Sequence, residues 1–455
     1  VLNDTIIAVS TPPGFGGIGV VRLSGPRALS IAKALFKPKN RAHKITPGQP
    51  ALGLLWDRES KKPYEEAMLT FFRRPRTYTR ENMVEISCHG SPVILEEVVR
   101  QGIKAGARHA SPGEFTLRAF LNGRIDIIQA EAINDIISAS SLQQAKISFR
   151  QLEGSLSKSA SHLRKQIIQL LSQIEALIEF PDDGLSLSPK TIARTLTRAE
   201  KTVEELISSY DLGKTLTEGL SLSITGKSNV GKSTLFNALL HKDRAIVTPY
   251  PGTTRDYLQE TIKIRDAHFT LTDTAGMDRP SHPVEKEGIK RGKKLASSAD
   301  GILFVLDASR KESPEDLELL NRLQKKKALL LFNKCDLPAR MDADKIKKRY
   351  AHLPSLSISA LKGTNMEKLE KMIFSHFAPS QTGSGEVLLH LRQKLLFEDI
   401  LSSLKRALAL LKKGYSEEIY VEEIRKIIPL IGQLTGEIKD EDVLGQIFDS
   451  FCVGK

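Results

Sequence analysis

Eight consecutive residues, GKSNVGKS from Gly226 to Ser233, hold the densest chemistry in this sequence. Glycines at both ends let the backbone approach a phosphate and turn its N–H groups inward, at a helix start whose dipole favours negative charge. Asn229, Val230 and Gly231 lead into Lys232, whose ammonium suits the β- and γ-phosphates. Ser233 follows with a hydroxyl for Mg2+, and Thr234 continues the helix. Further on, PGTTR places Pro251, Gly252, Thr253 and Thr254 in order, with Thr254 suited to close over Mg2+ and the γ-phosphate as a switch threonine. DTAG supplies Asp273, Thr274, Ala275 and Gly276. Asp273 would reach Mg2+ through water, and the Gly276 N–H would sense the γ-phosphate. Base choice belongs to NKCD, Asn333, Lys334, Cys335 and Asp336. A carboxylate at Asp336 accepts both N1–H and N2–H of guanine, donors that adenine lacks, so such a site rejects the wrong base. Ser359, Ala360 and Leu361 fit the last loop, where a backbone N–H meets the guanine O6. Four motifs in this order point to GTP.

The position after DTAG is Met277. Ras-type enzymes use a glutamine there to orient the attacking water, a task methionine cannot perform. Either another group positions water, or the protein binds GTP without cleaving it.

Short strands and helices must carry these loops. Leu222–Thr225, Ile262–Ile264, Phe269–Leu271 and Leu329–Phe332 read as strands, and Thr234–Leu240 as a helix. Upstream, Thr5–Val9 and Ile18–Leu23 read as strands around a Pro-Pro-Gly-Phe-Gly-Gly turn. Ala28–Leu35 has helical spacing, Ala67–Phe72 and Met83–Ile86 are further strands, and a helix runs from Pro92 to about Gly102. Leu163, Ile167, Leu170, Leu171, Ile174, Leu177 and Ile178 recur at three- and four-residue steps, one face of a long helix ended by Pro181-Asp-Asp-Gly. A second helical run spans Ile192–Tyr210. After the Ser/Gly/Thr linker Pro379–Gly385, helical spacing resumes at Leu388, Leu391, Leu395 and Leu396 and continues to about Phe448. Helices on both sides of the nucleotide domain bury their apolar faces most simply on one another. The expected architecture is therefore multidomain: an α+β domain over 1–119, a discontinuous all-α domain over 120–215 and 381–455, and an inserted α/β P-loop domain over 216–380.

Composition bounds the rest. A chain of 455 residues, 40% hydrophobic and 27% charged, accommodates about three ordinary domains. No apolar run approaches the roughly 20 residues of a bilayer span, and Val1–Pro12 lacks the charge and apolar pattern of a secretory signal. A start at Val1 is expected to reflect a trimmed initiator methionine. Cys88, Cys335 and Cys452 are odd in number and far apart, which argues against a disulfide framework or zinc ribbon and for a reducing, cytoplasmic setting. A net charge of +13 suits RNA or another polyanion, although basic chains are common without one.

Beyond the nucleotide motifs, TPPGFGGIG (11–19), YTREN (78–82), HGSPVI (89–94), SPGEFTLRAFLNGRIDIIQAEAI (111–133) and FCVGK (451–455) make the chain resemble the MnmE (TrmE) family of tRNA modification GTPases. That resemblance implies a folate-binding-like, dimerising N-terminal domain, and GTP hydrolysis that depends on K+ and on pairing of nucleotide domains. Asn229 would ligate K+, assisted by Thr248, Tyr250 and Thr253, with Pro249 in the same nucleotide-contacting segment. Glu285, twelve residues past Asp273, would be the catalytic glutamate that orients water, with Lys232 beside the phosphates. Without the family, Glu285 reads as a solvated acid on a loop. The resemblance also implies a tetrahydrofolate one-carbon carrier (5,10-methylene or 5-formyl) held by Arg22, Glu85, Arg124 and Lys455. Two positions depart from the family: Phe15 stands where arginine is usual, and Arg124 where lysine is common, which changes a point charge into a fork. Cys452 would be a nucleophile if its pKa were lowered; an inert small cysteine fits equally.

The implied activity is modification of C5 of the wobble uridine in certain tRNAs, by a homodimer working with a flavoprotein, MnmG (GidA), that brings the FAD. Gly14-Phe-Gly-Gly-Ile-Gly lacks the strand–helix context of a dinucleotide site. Two other readings stay open: a ribosome-assembly or RNA-binding switch GTPase, and a folate- and tRNA-binding scaffold with vestigial turnover.

Overall fold

The computed structural model describes residues 3–40, 45–57, 59–139, 141–180, 186–242, 259–265, 267–273, 299–322, 327–377, 386–438 and 441–455. Two compact units make up the chain. One comprises residues 1–137, 148–201 and 398–455; the other comprises 138–147 and 202–397.

The first unit opens with a seven-stranded sheet: β1 (Ile6–Val9), β2 (Gly16–Ser24), β3 (Phe36–Pro38), β4 (Pro50–Trp56), β5 (Pro63–Phe72), β6 (Met83–Gly90) and β7 (Arg108–His109). Their order is β3-β4-β5-β6-β2-β1-β7, antiparallel except at β1–β7. Alternation along β4 to β6 buries one face under helices Ala28–Leu35 and Pro92–Lys104, so Val21, Leu23, Leu69, Val84, Ile86 and Val98 share a core. Strands β1, β2, β5 and β6 and both helices match the sequence expectation. Strands β3, β4 and β7 were not anticipated.

Helices complete this unit. Ser155–Glu179 buries Leu163, Ile167, Leu170, Leu171 and Ile174, while Leu177 and Ile178 near its end are only half-buried. It packs against Glu417–Arg425 and Ile427–Thr435, with Arg425 bridging to Glu175 at 2.7 Å. Helix Glu114–Leu121 packs beside the C-terminal helix Glu441–Asp449 through Phe120, Phe448 and Phe451. The second helical run is two helices: Pro189–Ser208, with residues in both units, and Tyr210–Glu218, in the second. Helix Leu391–Lys412 turns a different face inward from the one its leucines suggest: Leu391 and Leu395 are about half exposed, and Gln393, Phe397, Ile400 and Leu404 are buried. Gln393 tolerates burial because its Oε1 accepts the Leu389 N–H at 3.4 Å. The expected turn at Pro181–Gly184 and the linker at Pro379–Gly385 lie outside the described residues.

The second unit holds a six-stranded sheet of β8 (Leu220–Thr225), β9 (Gln259–Ile264), β10 (Ala267–Asp273), β11 (Gly301–Asp307), β12 (Ala328–Asn333) and β13 (Ser355–Ser357). The order is β13-β12-β11-β8-β10-β9, parallel except for edge strand β9. Every residue of β11 and β12 is buried, as central parallel strands covered on both faces require. In such a sheet the carboxyl ends of the strands bind ligand. The residues following β8, β11, β12 and β13 lie at those ends.

Candidate functional site

From the carboxyl end of β8 the chain enters the loop Gly226–Gly231 and then helix Lys232–Lys242. Two glycines make the loop possible. Gly226 has φ +147°, and a Cβ on it would stand 2.3 Å from the Val305 carbonyl; Gly231 has φ +98°, and a Cβ there would stand 2.3 Å from Asn333 Nδ2. Asn229 also takes positive φ and is exposed at the tip. The Lys232 ammonium is buried and donates to the Gly226 and Lys227 carbonyls at 2.8 Å each, so it lies across the loop it belongs to. Ser233 and Thr234 are exposed on the first turn of the helix.

Asn333 locks the second half of the site to the first. Its Nδ2 donates to the Val230 carbonyl at 2.9 Å, and its Oδ1 accepts the Ala360 N–H at 3.0 Å. One buried side chain thereby ties together the phosphate loop, the end of β12 and the loop after β13. Lys334 reinforces the tie by donating to the Asn229 carbonyl at 2.8 Å and to Asp307 at 2.7 Å. Burial disfavours charge on Asp307, yet hydrogen bonds from Lys334 and Ser309 outweigh it and hold the carboxyl below its ordinary value. Asp336 stands exposed beyond this frame. A hydrogen bond from Ser359 keeps its carboxyl below the usual range, so it is an acceptor at neutral pH. Leu361 points to solvent at 76% exposure.

A second concentration of polar groups lies in the first unit, around a cavity of about 490 Å³ lined by Tyr78, Glu85 and Arg124 together with Arg76 and Arg80. Glu85 on β6 faces Arg22 on β2 across the antiparallel register, and Arg22 binds it through Nε at 3.0 Å and a terminal nitrogen at 2.7 Å. The guanidinium groups of Arg22 and Arg124 both stack on the Tyr78 ring, 5.5 and 4.7 Å from its centroid. Burial raises the pKa of the Tyr78 phenol in spite of its 2.8 Å hydrogen bond with Thr116. Lys455 arrives from the other end of the sequence: its carbonyl accepts the Phe115 N–H at 3.1 Å, and the Phe115 ring sits 5.7 Å from the Arg22 guanidinium. Gly454 makes this docking possible. Its φ is +95°, a Cβ would stand 2.0 Å from the Val9 carbonyl, and its own carbonyl accepts the Ser10 hydroxyl at 3.0 Å.

In the same domain a charged network ties residue 4 to helix Glu114–Leu121. Arg118, 1% exposed, binds Asp4 at 2.6 Å, Glu114 at 2.9 Å and Glu81 at 3.2 Å, and Arg108 joins Asp4 and Glu114.

A family model described as MnmE helical domain matches residues 127–452, and one described as GTP-binding protein TrmE N-terminus matches residues 5–124. The tRNA modification GTPase MnmE of Thermotoga maritima is 40% identical over 99% of this chain and 100% of its own length, and that of Aquifex aeolicus is 38% identical over 100% of both. The chain belongs to the MnmE family of tRNA modification GTPases. Among solved structures, a variant of Aquifex aeolicus Era bound to GDP and aluminium fluoride matches 40% of this chain and 66% of its own at 29% identity, with a TM-score of 0.29.

Against the MnmE resemblance, the structure brings Asn229, Val230, Gly231, Lys232, Ser233, Thr234, Asn333, Lys334, Asp336, Ser359, Ala360 and Leu361 to one end of one sheet, with β10 delivering Asp273 to the same end. It brings Arg22, Glu85, Arg124 and the Lys455 backbone to the other site. Thr248 to Thr254, Thr274 to Gly276 and Glu285 lie outside the described residues. Cys452 is exposed, and its carbonyl accepts the Gly113 N–H at 3.4 Å. The sequence reading gave no role to Tyr78, Arg76, Arg80 or Asp307. A signal existed for two of them, since Arg73, Arg74, Arg76 and Arg80 crowd into one short loop.

Proposed function

We propose that this member of the family hydrolyses GTP in a K+-dependent reaction switched on by pairing of nucleotide domains, and that it couples this to modification at C5 of the tRNA wobble uridine. The observation that carries the reading is the double hydrogen bond of Asn333, which holds the phosphate loop and the base-recognition loops in one frame. Within that frame Lys232 would leave its loop carbonyls for the β- and γ-phosphate oxygens, exchanging two neutral acceptors for charged ones. Asp336 would accept the guanine N1–H and N2–H. The Ser233 hydroxyl, on the first helical turn, and Thr254 are the hard oxygen donors that Mg2+ prefers, with Asp273 at one remove. Asn229 at the exposed tip of the loop, with Thr248, Tyr250 and Thr253, would hold K+, which supplies positive charge beside the phosphates where charge develops. Glu285 would orient the attacking water in place of the glutamine that Met277 lacks.

The N-terminal cavity fits a reduced folate by its donor set. The Glu85 carboxylate suits the adjacent N–H donors of a pterin, the Tyr78 ring offers a stacking face, and Arg124 and Lys455 suit a carboxylate. The folate would supply the one-carbon unit placed on the uridine. A homodimer through this domain, a flavoprotein partner of the MnmG type carrying FAD, and tRNA complete the assembly; the net charge of +13 and the family match over the N-terminal and helical segments support it. A switch GTPase of ribosome assembly has no use for those segments.

The test is GTP turnover by the full chain in K+ against Na+, with Glu285→Ala as control, and mass spectrometry of tRNA nucleosides after loss of the protein. The reading requires turnover that depends on K+ and is lost in the variant, and wobble uridines that lack their modification. Equal rates in both salts with no loss in the variant, or unchanged uridines, would refute it.

A further inference from the structure

Arg76 and Arg80 line the N-terminal cavity beside Arg124, and none of the four folate positions accounts for them. Arg80 has φ +58°, and one terminal nitrogen donates to the Asn122 carbonyl at 2.9 Å, which places its guanidinium on the turn that leads into Arg124. That bond uses one of five N–H donors in the group. The same nitrogen lies 3.5 Å from where a Cβ on Gly123 would stand, so Arg80 and Arg124 flank a single turn. Arg76 and Arg80 are exposed at the rim, whereas Glu85 and Tyr78 are partly buried. The cavity is also unbalanced in charge. Its one carboxylate, Glu85, is already paired with Arg22 from the neighbouring strand, while Arg76, Arg80 and Arg124 face the space as three guanidinium groups.

A folate with a single glutamate carries two carboxylates, and each further γ-linked glutamate adds one more. Such a chain must leave the cavity past its rim, and guanidinium forks match carboxylates in pairs. We infer that the cavity is built for a poly-γ-glutamyl folate, with Arg124 taking the first glutamate and Arg76 and Arg80 taking the carboxylates of the next ones. This rests on the folate reading above and adds the chemical form of the ligand.

Binding of 5-formyltetrahydrofolate as its monoglutamate and as its tri-γ-glutamate, measured by calorimetry on the full-length protein at low and at physiological salt, decides it. The wild type should bind the triglutamate about tenfold more tightly, a modest gain because the rim is solvated, and the gain should shrink as salt rises. The double variant Arg76→Ala/Arg80→Ala should lose that preference, the two forms binding with equal affinity. Arg76→Lys/Arg80→Lys should keep part of it. GTP turnover of each variant, carried by the other unit, reports that the chain has folded. Equal affinity of the wild type for the two forms overturns the inference and leaves the folate site standing. Binding of neither form overturns both. Weakened tRNA binding as the only effect of the double alanine variant assigns the rim to phosphates and likewise overturns the inference.

Discussion

The phosphate loop takes its polar groups from eight neighbouring residues and holds them with backbone geometry, whereas the N-terminal cavity takes Tyr78, Glu85 and Arg124 from separate parts of the chain and holds them with side chains, Arg22 pairing with Glu85 and stacking on Tyr78. In the loop, the parts that cannot change are two glycines and one asparagine that clamps them. In the N-terminal domain, the parts that cannot change are a buried ion network and the segment that Gly454 docks on Ser10. A site built locally depends on its own strand ends. A site built from remote pieces inherits every weakness of the domain that gathers them.

The contrast breaks most sharply at Asp336. Asp336→Asn should weaken GTP by about a thousandfold and raise affinity for xanthosine triphosphate, because the amide presents a donor where guanine needs an acceptor. Fluorescent-nucleotide titration checks this, and folate binding should not move. Arg118→Met comes next. Removing the most buried cation of the network leaves Glu114 and Asp4 to Arg108 alone and takes from Glu81 its Arg118 partner, so the first unit should lose about 3 kcal/mol in denaturant unfolding, and the cavity should weaken with it while nucleotide affinity stays constant. Gly454→Ala drives a Cβ into the Val9 carbonyl and should lift the tail, lowering folate affinity about tenfold by calorimetry. Nucleotide binding that fell in parallel would show that the two sites are energetically coupled.

The smallest effect is on acid stability. Burial works against the charges on Asp4 and Glu114, but hydrogen bonds from Arg108 and Arg118 prevail, so both carboxyls titrate below their ordinary values. A lowered folded-state pKa contributes stability above the unfolded value, and this is lost as pH falls through the acid range. Thermal melts of the wild type should therefore decline on acidification more steeply than those of Arg118→Met.

The same contrast explains what could be read in advance. The phosphate loop and the base-recognition motif were legible because function requires those residue types side by side, and β8 and β12 could be found from the motifs they feed. Strand β11, Gly301–Asp307, is buried throughout like β12, yet unlike β12 it ends in no recognised motif, so the sequence does not announce it. Strands β3, β4 and β7 are short or flanked by charge and carry little periodic signal. The inward face of Leu391–Lys412 differs from the one its leucines suggest because leucine spacing cannot reveal that the Gln393 Oε1 will accept the Leu389 N–H. In the cavity, family likeness supplied Arg22, Glu85, Arg124 and Lys455, whereas Arg76, Tyr78 and Arg80 needed the fold to bring residues 72–85 against the turn at 122–124.

The bond from Ser10 to Gly454 joins positions 444 residues apart. A ribosome delivers the first partner long before the second. While the nucleotide domain is being synthesised, the strands around Ser10 must keep their shape without the segment that later docks on them, exposed to any chaperone or protease nearby. Closure of the Ser10–Gly454 contact thus waits on synthesis of the 444 residues that separate its partners.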